Sequence, residues 1–252
     1  MQDYKKLNSN YFPEISIVIL CYKEGDLIKQ FIKKIIDILE DKKIFNYELI
    51  LVGNYHQGTD DKTPKVVAEL ASQNSKILYV AKPKQGMMGW DMRSGLNIAG
   101  GNYIAVIDGD GQMPVEDLVK VYRKLKAEKL DLVKTYRVKR GDSHWRKALN
   151  TNYNLIFNIL FPGLNSRDIN SKPKIITREA YQKLNLKSDD WFIDAEIMIQ
   201  ARRFNFKTGE IPTSFQKLSN KRKSFVGPST VFEFIKNLII YRLKEFKKVK
   251  KI

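Results

Sequence analysis

The sequence predicts an α/β protein built on a doubly wound, mostly parallel sheet with helices on both faces. Apolar, β-branched runs alternate with helix-like segments through the first half of the chain, the pattern of repeated strand–helix units. The segment after Pro114 carries Leu118, Val121, Tyr122 and Leu125, an i, i+3, i+4, i+7 stripe that packs one helix face onto a sheet. One apolar run, Tyr103 to Ile107, ends abruptly in Asp108-Gly109-Asp110, placing polar groups at a strand's carboxyl end, where open α/β sheets bind ligands.

In chain order, Ile15–Cys21 is a strand, and a helix follows from Asp26 to Leu39. Tyr47–Val52 is the second strand. The next helix opens at Thr63-Pro64, where proline suits the first turn, and runs to Ser72. Ile77–Ala81 is the third strand, Trp90–Ile98 a helix, and Tyr103–Asp108 the fourth strand. Right-handed crossovers then bring the loops after Cys21, Val52, Ala81 and Ile107 to one edge, where a nucleotide fits. The second half is less regular. Leu149, Tyr153, Ile156, Phe157 and Leu160 form a helical stripe stopped by Pro162-Gly163. A basic stretch, Asp168 to Lys174, precedes a short apolar run, and an acidic cluster spans Asp189 to Glu196. Thr208 to Pro212 reads as a turn into a short strand. The chain divides into a domain over residues 1–228 and a basic amphipathic helix or tail over residues 229–252.

Composition narrows the classes. A chain of 252 residues, 43% hydrophobic, buries a substantial core. No run reaches the 18 or so apolar residues of a membrane span, and the start has no signal-peptide core. The single cysteine, Cys21, has no internal disulfide partner and reads as a packing residue, which fits a cytoplasmic location. His56 and His144 show no zinc-type spacing. The formal net charge of +17 draws polyanions: nucleic acid, anionic lipid or phosphate-rich substrates. A lysine-rich solvated surface gives the same number. No recognised nucleic-acid motif accompanies the charge, and carboxylates at a strand end repel phosphates without a metal, so nucleic acid is the poorer partner.

Asp108 and Asp110 carry the chemistry. Glycine between them lets both carboxylates converge beyond the strand. Two close carboxylates repel unless a proton or cation relieves them, and hard oxygen ligands favour Mg²⁺ or Mn²⁺ completed by substrate phosphates. The bland alternative is a polar turn in which one of them caps the helix near Pro114.

The motifs taken together resemble the family-2 glycosyltransferases with the GT-A fold, particularly dolichol-phosphate-mannose-synthase-like members. The likeness spans roughly Ile15 to Pro212. Tyr22-Lys23-Glu24 after the first strand resembles that family's opening nucleotide-binding motif, with Leu20 and Lys23 replacing its proline and asparagine. Gln85-Gly86 through Arg93-Ser94-Gly95-Leu96 resembles its glycine-rich basic segment, and Asp108, Asp110 and Gln112 match positions around the metal and diphosphate. One departure is plain. The family's second strand usually ends in paired aspartates, whereas Val52 is followed here by Gly53-Asn54.

The resemblance implies a metal-dependent, inverting transfer of a sugar from a nucleotide-diphosphate donor to a lipid-phosphate or glycan acceptor at the cytoplasmic membrane face. It assigns Asp110 as metal ligand, Asp108 as ligand or ribose partner, and Gln112 as supporting ligand. Tyr22, Glu24, Asn54, Gly86, Arg93, Asp108 and Arg222 are its donor residues; Arg222 has the planar fork that suits a diphosphate. Ser171, Lys172 and Lys174 stand where the branch carries its acceptor motif, with a solvated basic loop as the alternative. Asp194, favoured over Glu196, is the general base for a hydroxyl acceptor. With a lipid phosphate, already an anion, Asp194 would orient the donor sugar or a basic residue instead. Asp189 or Asp190 caps the helix that follows.

From Val231 to Ile252, seven basic residues outnumber Glu233 and Glu245 beside the apolar Val231, Ile235, Leu238, Ile239 and Leu243. The segment suits an anionic membrane surface, or docking on its own domain or on another subunit. Two other classes fit less well: a nucleotidyltransferase of related fold, and a non-catalytic nucleic-acid-binding or scaffold protein.

Overall fold

The computed structural model describes residues 12–140, 144–215 and 228–249. Its centre is a seven-stranded sheet in the order β3-β2-β1-β4-β6-β5-β7. Strands β1 (Ile15–Leu20), β2 (Tyr47–Val52), β3 (Ile77–Val80) and β4 (Tyr103–Asp108) run parallel. Every residue of β1 and β2 is buried, as expected of strands covered on both faces. The crossover helices α1 (Leu27–Asp41), α2 (Thr63–Gln73) and α3 (Met88–Leu96) lie close to their predicted spans, and α4 (Glu116–Ala127) follows β4.

Period-2 alternation divides the strands between two cores. Ile17, Ile19, Leu49 and Ile107 join α1, α2 and α4, with Ile28, Phe31, Ile32 and Ile35 forming the inward stripe of α1. Val18, Ile50, Ile104 and Leu132 join α3 and the later helices on the opposite face. The doubly wound, two-faced arrangement matches the sequence expectation.

Besides a short helix at Arg178–Lys183, the second half differs from it in one strand. Leu132–Arg140 forms a full strand, β5, which the sequence reading passed over. Lys134, Arg137, Lys139 and Arg140 break any apolar alternation there, and β5 holds its place through its neighbours. It pairs antiparallel with β6 (Lys174–Thr177) and parallel with β7 (Thr208–Phe215), with Pro212 accommodated on that edge strand. Since β6 also pairs antiparallel with β4, Val106, Lys174 and Lys134 lie level across three strands. Buried Lys134 is satisfied by an ion pair with Glu210 at 2.7 Å and a hydrogen bond to the Asp168 carbonyl at 2.6 Å.

Helices α5 (His144–Leu160), α6 (Arg178–Lys183), α7 (Ile193–Arg203) and α8 (Pro228–Val249) complete the chain. Helix α8 docks on the domain. Leu238 is fully buried, and Asn237 donates to Asp190 at 2.9 Å. Tyr241 packs on Phe192 and accepts a hydrogen bond from Gln200 at 3.2 Å. Its predicted apolar stripe therefore divides: Leu238 faces inward, while Ile239 and Leu243 are exposed along with Ile240.

Candidate active site

Strand order reverses between β1 and β4, and Asp108 ends β4 level with Leu20 at the end of β1. This is the switch point of an open sheet, where a crevice forms beyond the strand ends. Gly109 crosses it in close contact: its N–H donates to the Leu20 carbonyl at 2.9 Å, and a Cβ there would meet that oxygen and the Ile28 side chain at 2.9 Å. Asp110 then folds back, its Oδ1 accepting the Gln112 N–H at 3.0 Å. Helix α4 starts at Glu116 with no side-chain cap, so neither aspartate serves the capping role.

Burial and the adjacent Asp108 charge push the Asp110 carboxyl up to about 7, with Glu24 acting in the same direction. The Gln112 N–H and Lys172 oppose the shift. A carboxyl so raised is one that holds a proton or accepts a cation. Among the described residues, no group of three or more His, Cys, Asp or Glu is placed to hold a metal. Two carboxylates with Gln112 leave about half of an octahedral shell for water and ligand oxygens. That fits Mg²⁺ or Mn²⁺ bound together with a diphosphate.

Beside this pair runs a row of buried charges. Lys172 Nζ lies 3.4 Å from Asp108 Oδ1 and 3.0 Å from Asp194 Oδ2, and Lys174 Nζ lies 2.6 Å from Asp194 Oδ1. Asp194, in the first turn of α7, is completely buried. Burial alone would raise its pKa, but Lys172 and Lys174 outweigh that and hold it below the ordinary carboxylate range. Burial brings Lys174 down to about 8 against the pull of Asp194, while Asp108 and Asp194 together overcome burial at Lys172 and raise it. Ser171 is fully buried and hydrogen-bonded to Thr135 at 2.6 Å. The expected acceptor residues Ser171, Lys172 and Lys174 are thus packed inside the protein, with both lysines paired to Asp194. As it stands, Asp194 is an anchor for lysines, not an exposed base.

The expected donor residues separate into two groups. Tyr22 and buried Glu24 follow β1 at the site's edge. The Tyr22 ring is approached by Lys84 Nζ at 4.4 Å and Lys23 Nζ at 5.3 Å, with the His56 ring edge-on at 6.0 Å. Asn54, Gly86 and Arg93 are engaged with the protein itself. Asn54 is buried, its amide donating to Asp91 at 3.0 Å and Ser94 at 2.9 Å and its oxygen accepting from the Lys82 N–H at 2.9 Å, which spends its side chain on joining β2, α3 and the β3 loop.

Gly86 and Arg93 belong to a junction between α3 and the segment before α7. The N–H groups of Met87 and Gly89 donate to the carbonyls of Asp189 and Asp190 at 2.6 and 2.9 Å. A Cβ on Gly86 would meet the Asp189 carbonyl at 2.7 Å, so this close approach requires glycine. Arg93 pairs with Asp189 at 2.5 Å. Glu196, the alternative base, accepts the Lys187 and Ser188 N–H groups at 3.0 and 2.9 Å and so secures the same segment. Asp190 accepts the Phe192 N–H at 2.9 Å just ahead of α7. Arg222 lies outside the described residues.

Sequence reasoning missed the buried Lys84–Asp91 ion pair behind Tyr22. One signal was present. Asp91 stands four residues before Gly95 on α3, on the row that packs against Val18 and Val52, and a carboxylate on a buried row needs a partner.

Comparisons with known proteins give the family and the fold. The chain is 23% identical over 247 residues to a dolichyl-phosphate beta-glucosyltransferase of Trichomonas vaginalis, covering 91% of this chain and 74% of that protein. It is 29% identical over 150 residues to the undecaprenyl-phosphate 4-deoxy-4-formamido-L-arabinose transferase of Proteus mirabilis, covering 59% and 43%. Among solved structures it resembles glucosyl-3-phosphoglycerate synthase of Mycobacterium tuberculosis in complex with Mn²⁺, uridine-diphosphate-glucose and phosphoglyceric acid. That match has a TM-score of 0.68 at 18% identity, covering 91% of this chain and 80% of the other. Mannosyl-3-phosphoglycerate synthase of Rubrobacter xylanophilus matches with a TM-score of 0.71 at 13% identity, covering 96% and 76%. These likenesses show the GT-A fold. The model described as "Glycosyl transferase family 2" matches residues 16–190, and the chain belongs to that family of glycosyltransferases.

Proposed function

We propose that the enzyme transfers a sugar, with inversion, from a nucleotide-diphosphate sugar to a lipid-phosphate acceptor at the cytoplasmic face of a membrane, using Mg²⁺ or Mn²⁺. The observation that carries the reading is the convergence of Asp108 and Asp110 at the β1/β4 switch point, with Asp110 raised to about 7. A cation held by Asp108, Asp110 and Gln112 would supply Lewis-acid stabilisation of the departing diphosphate. Tyr22 and Glu24 border the crevice on the donor side.

The choice of a lipid phosphate over a glycan hydroxyl rests on Asp194. A hydroxyl acceptor needs a base within reach, and Asp194 is fully buried between two lysines that hold its pKa down. An acceptor phosphate is already anionic and attacks the anomeric carbon unaided. Attack opposite the departing diphosphate inverts that carbon in one displacement. The relatives from Trichomonas vaginalis and Proteus mirabilis are named for dolichyl- and undecaprenyl-phosphate acceptors, which supports the same choice. The membrane location is supported by the exposed Ile239, Ile240 and Leu243 of the basic helix α8 and by exposed Leu155 and Ile159 on α5, which packs against it. No helix among the described residues is long and apolar enough to cross a membrane.

The test is a thermal-shift titration with uridine and guanosine diphosphates, with Mn²⁺ or with chelator, followed by transfer assays on polyprenyl phosphate and on soluble glycans. Nucleotide should stabilise the wild type far more with metal, Asp110→Ala should lose that metal-dependent part, and transfer should go to polyprenyl phosphate. Metal-independent stabilisation shared by both proteins would overturn the metal assignment; transfer to a glycan hydroxyl alone would overturn the acceptor.

A further inference from the structure

Lys172 stands where a lysine is costly to keep. Its side chain is only 3% exposed, and Asp108 and Asp194 are its two ionic partners. Its Nζ also lies 3.5 Å from Met88 Sδ, and Asp194 is itself fixed from the other side by Lys174 at 2.6 Å. An ammonium tied in this way does not swing into solvent when something approaches Asp108. Removing it from Asp194 would leave that carboxylate, buried to 0% exposure, with one partner fewer.

A divalent ion on an Asp108 oxygen sits about 2.0–2.1 Å from it, whereas Lys172 Nζ sits 3.4 Å from Asp108 Oδ1. Both cations therefore crowd one carboxylate within a few ångströms; Asp108 is 33% exposed, but Lys172, at 3%, keeps its charge out of water, so the repulsion on that side is weakly screened. A metal arriving alone meets this repulsion in full. A nucleoside diphosphate brings several negative charges that attract metal and lysine together, so it relieves what the metal alone cannot.

We propose that Lys172 is a resident counter-cation of the Asp108–Asp110 pair, and that it makes the site accept a divalent cation and a nucleoside diphosphate as a unit while discouraging metal alone. The proposal rests on the metal-and-donor reading above. Lys172 is a positioning and selectivity residue in this scheme: it balances the carboxylates before the donor arrives and stays beside Asp108 afterwards. Asp194 and Lys174 serve it by fixing its Nζ.

The experiment measures Mn²⁺ binding by electron paramagnetic resonance to the full chain, with and without uridine or guanosine diphosphate, for wild type, Lys172→Met and Lys172→Arg. In the wild type, nucleotide should tighten Mn²⁺ binding by tenfold or more, with the reciprocal effect of Mn²⁺ on nucleotide. Lys172→Met leaves Lys174 to pair with Asp194; it should bind Mn²⁺ alone about tenfold or more tightly than wild type and lose coupling by a similar factor. Lys172→Arg, which keeps the charge, should retain strong coupling and weak binding of metal alone. Strong coupling in the wild type with Lys172→Met unchanged overturns the role of the lysine and leaves the donor reading intact. Failure of the wild type to bind Mn²⁺ and nucleotide in any combination overturns both. Should Lys172→Met not fold, independent binding of metal and nucleotide in the wild type, or loss of coupling in Lys172→Arg, still refutes the proposal.

Discussion

Replacing Asp110 by Asn should stabilise the metal-free protein at alkaline pH and do little in acid. The folded carboxyl titrates at about 7, raised by burial and by Asp108, while an unfolded aspartate titrates near 3.9. The folded state therefore binds this proton more tightly than the unfolded chain does. Its contribution to stability is complete below about pH 4 and is lost progressively as pH rises through 7. A displacement of about three units corresponds to about 4 kcal/mol at 1.36 kcal/mol per unit. Asp108 and Glu24 share the titration and the crevice admits some water, so the realised effect falls at about 2–4 kcal/mol. Asparagine keeps an oxygen for the Gln112 N–H and carries no charge to desolvate. Thermal melts in chelator from pH 5 to pH 8 should show the variant drawing level with and then exceeding the wild type. At roughly 2–4 °C per kcal/mol for a chain of this size, the gap should widen by several degrees or more. Titrating groups remote from Asp110 are common to both proteins and cancel in the difference, and the coupling to Asp108 and Glu24 is already within the range given. A difference between the two that stays flat across this range would refute the reasoning, because it would mean that Asp110 ionises freely in the fold.

Two further outcomes follow from the packing. Gly86→Ala should destabilise the protein by roughly 1–3 kcal/mol in denaturant melts, the usual cost of overpacking, since its Cβ would meet the Asp189 carbonyl at 2.7 Å, whereas Gly100→Ala, whose nearest contact is 3.4 Å, should be almost silent; equal midpoints for the two would refute the α3–α7 junction. Full-length protein should co-sediment with anionic but not neutral vesicles, release as salt shortens the Debye length below about 8 Å, and lose binding when Ile239, Ile240 and Leu243 are all replaced by Ser. Unchanged binding by that triple variant would place the membrane contact elsewhere.

The first half of the chain was legible because its signals are short-range. A β-branched run such as Ile15–Leu20 declares a buried strand within its own six residues. Asp108-Gly109-Asp110 declares a polar turn at a strand end from three. Ordered strand–helix alternation then brings the ends of β1 and β4 together with little help from distant contacts, so the place of the site could be read before its shape. Strand β5 was not legible, because Lys134 is an interior residue only once Glu210 and the Asp168 carbonyl come to meet it.

By itself, then, the amino-acid order determined the doubly wound sheet, the crevice at its switch point and the carboxylates that open onto it. The tertiary structure decided which other polar groups remain available. Asn54, Gly86 and Arg93 carry residue types suited to a nucleotide, yet their partners are Asp91, the Asp189 backbone and the Asp189 side chain. Lys172, Lys174 and Asp194 are residue types suited to an acceptor and a base, yet they meet as a buried row. The physical reason is that a buried charge takes whichever opposite charge the strand register and helix docking bring within about 3–4 Å. Pairing of β6 antiparallel to both β4 and β5 sets that register through contacts from 40 (Lys134 with Lys174) to 74 (Tyr103 with Thr177) residues apart in sequence. No local pattern in the sequence encodes it.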